Sequence, residues 1–502
     1  MIARKSALII ATQLANGILG YIGLKFIALY MEPWEYGIVG FAYGFVALFS
    51  IFGSLGFDQA HIKRVSEGKD LGKCIATFVS VKLFLAGLMG SIVILSILVW
   101  KYVIGRGFES PLHEKAVYIM LSYFILTILT QSMRSTFNAK KEIAKSQLPY
   151  FVYTLARVIA TIVIAISGLG ALALAYTYLF GGIFNFAIAL FFFRGYPIDK
   201  PSFSYFKDYV KFAIPMAIAS ASFIIMTNID KVFIQLFWSA TQVGQYFAIF
   251  NLSRFIILFS ASVGMLLFPT ISEHHARNNM GEIKKLTLES ERYLSLIVFP
   301  IVTLMIILAE PIIHILISDK YMPALPVLQI LPSFVLIDAL ARPYTAQLQG
   351  MNLPNFTRNR VIIMMIVNVI LNLILIPKDI RMLGLKLAGL GIKGAAIATV
   401  VAYIIGSIYI RLITWKVTKV KGNARILLHA IAAIITGFIL NYLSIHIARW
   451  YELLGIALFG LSIYFAILFL MREFKKEDFE FFMDTLNIKK MIGYIKEEIK
   501  GK

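Results

Sequence analysis

The dominant pattern along the chain is a series of apolar runs, each about 20 residues or longer, separated by short connections rich in Gly, Pro, Lys and Arg. A helix of that length crosses about 30 Å of hydrocarbon at a rise of 1.5 Å per residue. The runs place about fourteen spans. In the first half they fall near residues 5–30, 37–57, 75–103, 115–137, 148–167, 169–193 and 209–236. In the second half they fall near 243–271, 288–317, 322–350, 358–376, 388–415, 425–447 and 452–471. No connection is long enough for a sizeable soluble domain, so the pattern predicts an all-α integral membrane protein. The first run follows Arg4 and Lys5, as a signal sequence would. It continues to about Tyr30, carries Lys25 and lacks a small-residue cleavage site, so it is expected to stay as the first span.

Composition agrees. Hydrophobic residues fill 59% of 502 positions, charged residues only 15%, and the mean hydropathy is +0.80, whereas soluble chains carry about a quarter charged residues. A water-soluble globule is excluded. The net charge of +21 is spread over short loops, which argues against nucleic acid as a partner. The basic residues instead mark alternate connections: Lys63, Arg64, Lys69 and Lys73; Lys140, Lys141 and Lys145; Arg194, Lys200 and Lys207. The same alternation continues through Arg277, Lys284 and Lys285, then Arg358 and Arg360, then Lys416, Lys419, Lys421 and Arg425. Positive charge marks the cytoplasmic side, so both termini are expected inside, in a multi-pass protein of the cytoplasmic membrane. The connection Lys378 to Lys393 is the exception, basic on the expected outer side. Residues 473–502, with Phe474, Phe479 and Ile488 among Lys and Glu, are expected to form an amphipathic cytoplasmic tail. Cys74 has no partner in the chain, and among the scattered histidines only His274 and His275 are adjacent. Neither disulfide, metal nor cofactor is expected.

The second half echoes the first at a spacing of roughly 207 residues. Glu35-Tyr36-Gly37 matches Gln242-Val243-Gly244, Lys25 falls within a residue of Lys231, and the stretch around Arg134 matches that around Arg342. Ser167-Gly-Leu-Gly170 matches Ala388-Gly-Leu-Gly391 after an insertion. A repeat containing an even number of spans keeps its orientation in the membrane, which makes it a parallel repeat about an axis along the membrane normal. The expected organisation is a first six-helix lobe at 1–200, a second at 201–420, and an additional helix pair at 421–472.

Ile214-Pro215, Asn228-Ile-Asp230-Lys231 and Val243-Gly244-Gln-Tyr246 resemble the start of the second lobe in polysaccharide flippases of the Wzx type. Glu35-Tyr36-Gly37-Ile38, Gly53-Ser-Leu-Gly56 and Lys63-Arg64 resemble the first-lobe counterpart. The larger superfamily also holds multidrug and toxin extruders and lipid II flippases. The resemblance implies a V-shaped pair of six-helix lobes that alternates between inward-open and outward-open states. It implies an isoprenoid-diphosphate-linked oligosaccharide as cargo, with membrane lipids and glycan-assembly enzymes as partners.

Ionisable residues within spans are costly unless they face a polar cavity or a partner. They are Lys25, Lys82, Arg134, Arg157, Asp230, Lys231, Arg254, Asp338, Arg342 and Arg411, a strongly cationic set. A diphosphate group wants Arg forks and Lys point charges, whereas a cation exporter wants inward carboxylates. Lys25, Arg157, Lys231 and Arg254 are therefore expected to line a substrate cavity, with Arg134, Arg342, Asp230 and Lys82 as secondary candidates. The bland reading of Lys82, Arg134, Arg342 and Arg411 is snorkelling at a cytoplasmic helix end. Asp230 is expected to partner Arg254 or Lys25, and Asp338 to pair with Arg342 one turn away. Gly40, Gly44, Gly53 and Gly56 give the second span small packing faces, and Pro215, Pro300 and Pro332 are natural kinks. Two alternatives stay open: a cation-coupled small-molecule exporter of the same superfamily, and an integral-membrane glycan-processing enzyme. The enzyme would need an acidic pair or a large extramembrane loop. No nucleophile elbow or phosphate-binding loop is present.

Overall fold

In the computed structural model, which describes residues 2–103, 108–380, 384–443 and 447–474, the apolar runs are helices. Lipid offers no hydrogen bonds to the backbone, and a helix satisfies its own. The first half comprises α1 (Ile2–Tyr30), α2 (Pro33–Ser54), α3 (Phe57–Ser66), α4 (Leu71–Tyr102), α5 (Pro111–Ala139), α6 (Ile143–Ile166) and α7 (Gly170–Phe193). There follow α8 (Phe203–Phe237), α9 (Ala240–Arg254), α10 (Ile257–Ala276), α11 (Met280–Ile307) and the single turn α12 (Ala309–Pro311). A π-helical turn (Ile312–Ile317) and a 3-10 turn (Asp319–Ala324) lead to α13 (Leu325–Ile330) and α14 (Pro332–Gly350). The chain continues with α15 (Pro354–Leu375), α16 (Gly391–Thr418), α17 (Ile426–Leu443) and α18 (Trp450–Leu470). The basic connection between α15 and α16 holds a small antiparallel hairpin, β1 (Asp379–Ile380) against β2 (Leu385–Lys386).

Twelve helices among the described residues are long and apolar enough to cross a membrane. The expectation of fourteen spans adds to these α1 and the broken pair α9–α10. Residues 475–502, most of the expected amphipathic tail, lie outside the described residues.

Several apolar runs hide breaks, and two of them flank the central helices. Leu55 and Gly56 both adopt left-handed backbone angles, so α3 leaves the axis of α2. A Cβ at Gly56 would stand 2.2 Å from the carbonyl oxygen of Ala213 in α8, so only glycine fits. The second break, between α9 and α10, follows Arg254.

The loops sort to two ends as the charge alternation predicts. Lys69 pairs with Asp208, Asp199 touches Gly72, and Tyr196 donates to Glu142, which gathers the connections at 63–73, 140–145 and 194–208 at one basic end. At the opposite end Lys320 pairs with Glu32 and donates to the Met31 carbonyl, while Gln235 and the Ala240 amide donate to Glu109.

Helix α2 is central. It packs on α4, α5 and α7 of its own half and on α8 and α9 of the other. Small residues make the second contact: a Cβ at Gly37 would lie 1.7 Å from the Ala240 carbonyl oxygen, and one at Gly244 would lie 1.8 Å from that of Pro33. Pro33 and Ala240, like Gly37 and Gly244, are 207 residues apart, so the two contacts exchange roles as in an isologous interface. Beyond them, Gly40 meets the ring of Phe247, and Gly44 meets the stem of Lys231.

Candidate functional site

The structure divides the span cations into two groups. The first is neutralised. Lys82 is buried and pairs with Asp58 at 2.8 Å, while Ser54 and Ser135 donate to the same carboxylate. Asp338 pairs with Arg342 at 3.0 Å, as the one-turn spacing predicts, and also with Arg360 at 3.0 Å. Arg411 pairs with the fully buried Glu291, which also accepts from Tyr344 at 2.6 Å. Lys82 and Arg411 are each met by a carboxylate on a neighbouring helix, and Arg342 by Asp338 one turn away on its own. Arg134 is held differently: its Nε donates to the Ser146 carbonyl at 3.1 Å, and its guanidinium lies over the Tyr150 ring. Asp58 was missed in sequence because it falls just beyond the run 37–57, and Glu291 because it stands in the first turn of the run 288–317, where it reads as a flanking charge.

The second group makes no ion pair among the described residues, and aromatic rings link its members. Arg157 on α6 lies over the Tyr178 ring of α7 at 4.8 Å and the Tyr153 ring at 5.8 Å. Tyr178 contacts Tyr43 on α2, centroids 5.8 Å apart, and Tyr43 stacks on Phe247 of α9 at 6.4 Å. Lys231 on α8 sits 5.3 Å from the centroids of both Phe247 and Phe250, and Arg254 lies 5.5 Å from that of Phe250. Three of the four principal candidates thus lie on one continuous band that crosses from α6 to α9 through α2. Ring faces carry negative potential and hold cations at modest cost, without consuming them in a salt bridge. Arg254 is exposed, Arg157 half-buried, and Lys231 is 3% exposed, its ammonium donating to the Thr227 carbonyl at 2.8 Å. Of the three, Arg254 is open and Lys231 enclosed, and none is neutralised by a carboxylate among the described residues.

Lys25 is not on the band. Its ammonium donates to the carbonyls of Ile315 and Ile317 at 2.8 and 3.1 Å, and Tyr21 donates to Leu316 at 3.1 Å. These are last-turn carbonyls of the π-helical segment, which lack partners within their own helix. Lys25 thus ties α1 to the end that also holds Glu32 and Lys320.

Asp230 partners neither Arg254 nor Lys25. Tyr246 at 2.6 Å, Asn372, and Thr399 at 3.3 Å all donate to its carboxylate, and it is 1% exposed. The reason is helical geometry: Asp230 turns toward α15 and α16, while Lys231, about 100° around α8, turns toward α2. Asn368 extends the cage by accepting from Asn372 at 3.1 Å. His274 and His275 end α10, and no cluster of three or more metal-ligating side chains occurs among the described residues.

Solved structures share this arrangement of helices. A lipid II flippase, MurJ in an inward closed conformation, superposes with a TM-score of 0.77 over 93% of this chain and 99% of its own, at 17% identity. An inward-facing multidrug resistance transporter of the MATE family gives 0.62 over 81% and 95%, at 17% identity. The fold is therefore that of multi-helix membrane transporters. Sequence narrows the class: residues 27–326 match the polysaccharide biosynthesis protein family, and the chain belongs to it. A relative from Haloferax volcanii, named a probable low-salt glycan biosynthesis flippase, Agl15, is 24% identical over 81% of this chain and 82% of its own. An uncharacterised membrane protein of Methanocaldococcus jannaschii is 29% identical over 40% of this chain and 37% of its own.

Proposed function

We propose that this protein flips an isoprenoid-diphosphate-linked oligosaccharide across the cytoplasmic membrane by alternating access between two lobes, residues 1–200 and 201–420, with 421–472 as an added helix pair. The observation that carries this reading is the band of Arg157, Lys231 and Arg254, three cations held by rings where the halves meet. A diphosphate brings charge that such cations bind strongly, and sugars present C–H faces that suit Tyr43 and Tyr178. Similarity to a probable glycan biosynthesis flippase of Haloferax and to the fold of a lipid II flippase supports a lipid-linked glycan as cargo. The exporter alternative needs carboxylates on this band, and Asp230 faces away from it.

With both termini in the cytoplasm, the end fastened by Lys25, Glu32, Glu109 and Lys320 is the outer one. In this state the substrate enters from the basic, cytoplasmic side. Rocking of the lobes then breaks the outer ties and remakes contacts at the inner end.

The test is flipping of a lipid-linked oligosaccharide in proteoliposomes. Arg254→Glu changes an exposed residue at a helix end and Arg157→Gln removes a charge without reversing it, so both are expected to insert. A charge-assisted bond of about 1.5–3 kcal/mol predicts a loss of roughly 10- to 150-fold for Arg157→Gln, and a larger loss for the reversal. Undiminished flipping by both inserted variants would overturn the proposal.

A further inference from the structure

The basic end of α16 carries a second cationic site, remote from the band. A cavity of about 290 Å³ opens there, lined by Tyr344 from α14, by Arg411, Leu412 and Trp415 from α16, and by Val420 and Lys421 from the following connection. Arg411 is fixed in place from behind. Glu291 accepts its guanidinium, Tyr344 packs under it at 4.6 Å, and the Glu291 carboxylate is used up by Arg411, Tyr344 and the Asn423 amide. The chain passes close at Gly422, where a Cβ would sit 3.2 Å from a guanidinium nitrogen. Arg411 nevertheless remains 31% exposed, toward the cavity side, and Lys421 is exposed with no partner among the described residues.

The surroundings are those of the membrane interface. Ile408, Leu412 and Trp415 are 53%, 50% and 43% exposed and form a strip along the outer face of α16. Lys416, Lys419 and Lys421 follow immediately, with Lys419 lying over the Trp415 ring. Tryptophan belongs at the level of lipid head groups, with acyl chains on one side and water on the other. A group that fits must be anionic at that level and apolar just beneath it.

We propose that this cavity binds the phosphate of an anionic membrane phospholipid, with Arg411 and Lys421 on its oxygens and an acyl chain along Trp415, Leu412 and Ile408. Arg411 supplies a preorganised fork and Lys421 a mobile point charge, the usual division of labour at a phosphodiester. The bound lipid joins α14, α16 and the connection to α17, three segments otherwise tied here through Glu291.

The experiment uses the full chain, delipidated in a non-ionic detergent, with unfolding followed by exposure of the single buried thiol, Cys74. Phosphatidylglycerol, phosphatidylcholine and inorganic phosphate are titrated separately, and retained lipid is counted by native mass spectrometry. Phosphatidylglycerol is expected to raise Tm by about 2–4 °C, with one lipid retained, and the other two additions to leave Tm unchanged. Lys421→Glu alters an exposed loop residue and is expected to weaken the apparent affinity about tenfold. Arg411→Lys keeps the counter-charge of Glu291 but loses the fork, and is expected to weaken it similarly. Lys140→Glu, an exposed residue in another basic loop, is expected to bind as the parent does. An equal response to phosphatidylcholine, or one reproduced by inorganic phosphate, overturns the proposal. So does parental binding by both Lys421→Glu and Arg411→Lys, or an equal loss in Lys140→Glu, which would mean diffuse attraction to a basic protein.

Discussion

The contact between Gly37 and Gly244 makes a quantitative prediction about which end of the molecule is closed. Gly37→Ala places a methyl 1.7 Å from the Ala240 carbonyl oxygen and 3.0 Å from the Gly244 nitrogen. Both obstacles are backbone atoms, so no change of rotamer relieves them. A carbon and a carbonyl oxygen approach to about 3.3 Å, so α2 and α9 must part by about 1.6 Å where they now touch. Overpacking of this kind costs about 1–3 kcal/mol, charged only to the state in which this contact is made. The ratio of closed to parted molecules should then fall by about 5- to 150-fold. Spin labels at Tyr30 and Glu310, both exposed and both near this end, report the change by double electron–electron resonance in a Cys74→Ser background. The distance distribution should gain a longer component, and Gly244→Ala should reproduce it because its methyl meets the Pro33 carbonyl in the same way. An unchanged distribution in folded, correctly inserted Gly37→Ala protein would refute the idea that these glycines set the closure.

Three further outcomes follow from groups held between helices. Lys82→Met strands the carboxylate of Asp58 and should cost about 3–5 kcal/mol in thermal unfolding, with much of the loss recovered when Asp58→Asn is added. Asp230 accepts from three donors, so Asp230→Asn turns a donor toward donors and should cost about 1–3 kcal/mol. An inserted Asp230→Asn protein that unfolds at the parental temperature would contradict the hydrogen-bond assignment. Lys25→Met leaves the carbonyls of Ile315 and Ile317 without their ammonium. Faster deuterium uptake across Ile312–Ile317 is expected, and unaltered uptake would deny Lys25 its role as a tie.

Much of this architecture was legible because hydrocarbon imposes a length on every span and basic loops mark a side. The glycine faces were legible too: Gly40 and Gly44 do pack closely, one on Phe247 and the other on Lys231. What escaped depends on separations along the chain that hydropathy does not see. Arg411 finds Glu291 120 residues away, and Lys25 finds Ile315 290 residues away. Asp58 stands just beyond the run 37–57 and Glu291 in the first turn of the run 288–317, so the cationic excess within the spans looked larger than it is. The aromatic band needed all of α2, α7 and α9 in place before its rings became neighbours. The separation of Asp230 from Lys231, by contrast, followed from the pitch of a helix alone.

The exchange of roles between Pro33 and Ala240 around Gly37 and Gly244 carries a consequence for how the contact can vary. In a homodimer a self-matching contact of this kind would change on both sides with one substitution, whereas in a single chain each side varies alone. The spacing of 207 residues sets Tyr43 against Phe250 and Arg254 against Ala47, so the surroundings of the two glycines differ. A symmetric contact thus sits in an asymmetric neighbourhood, and its two glycines can be altered independently.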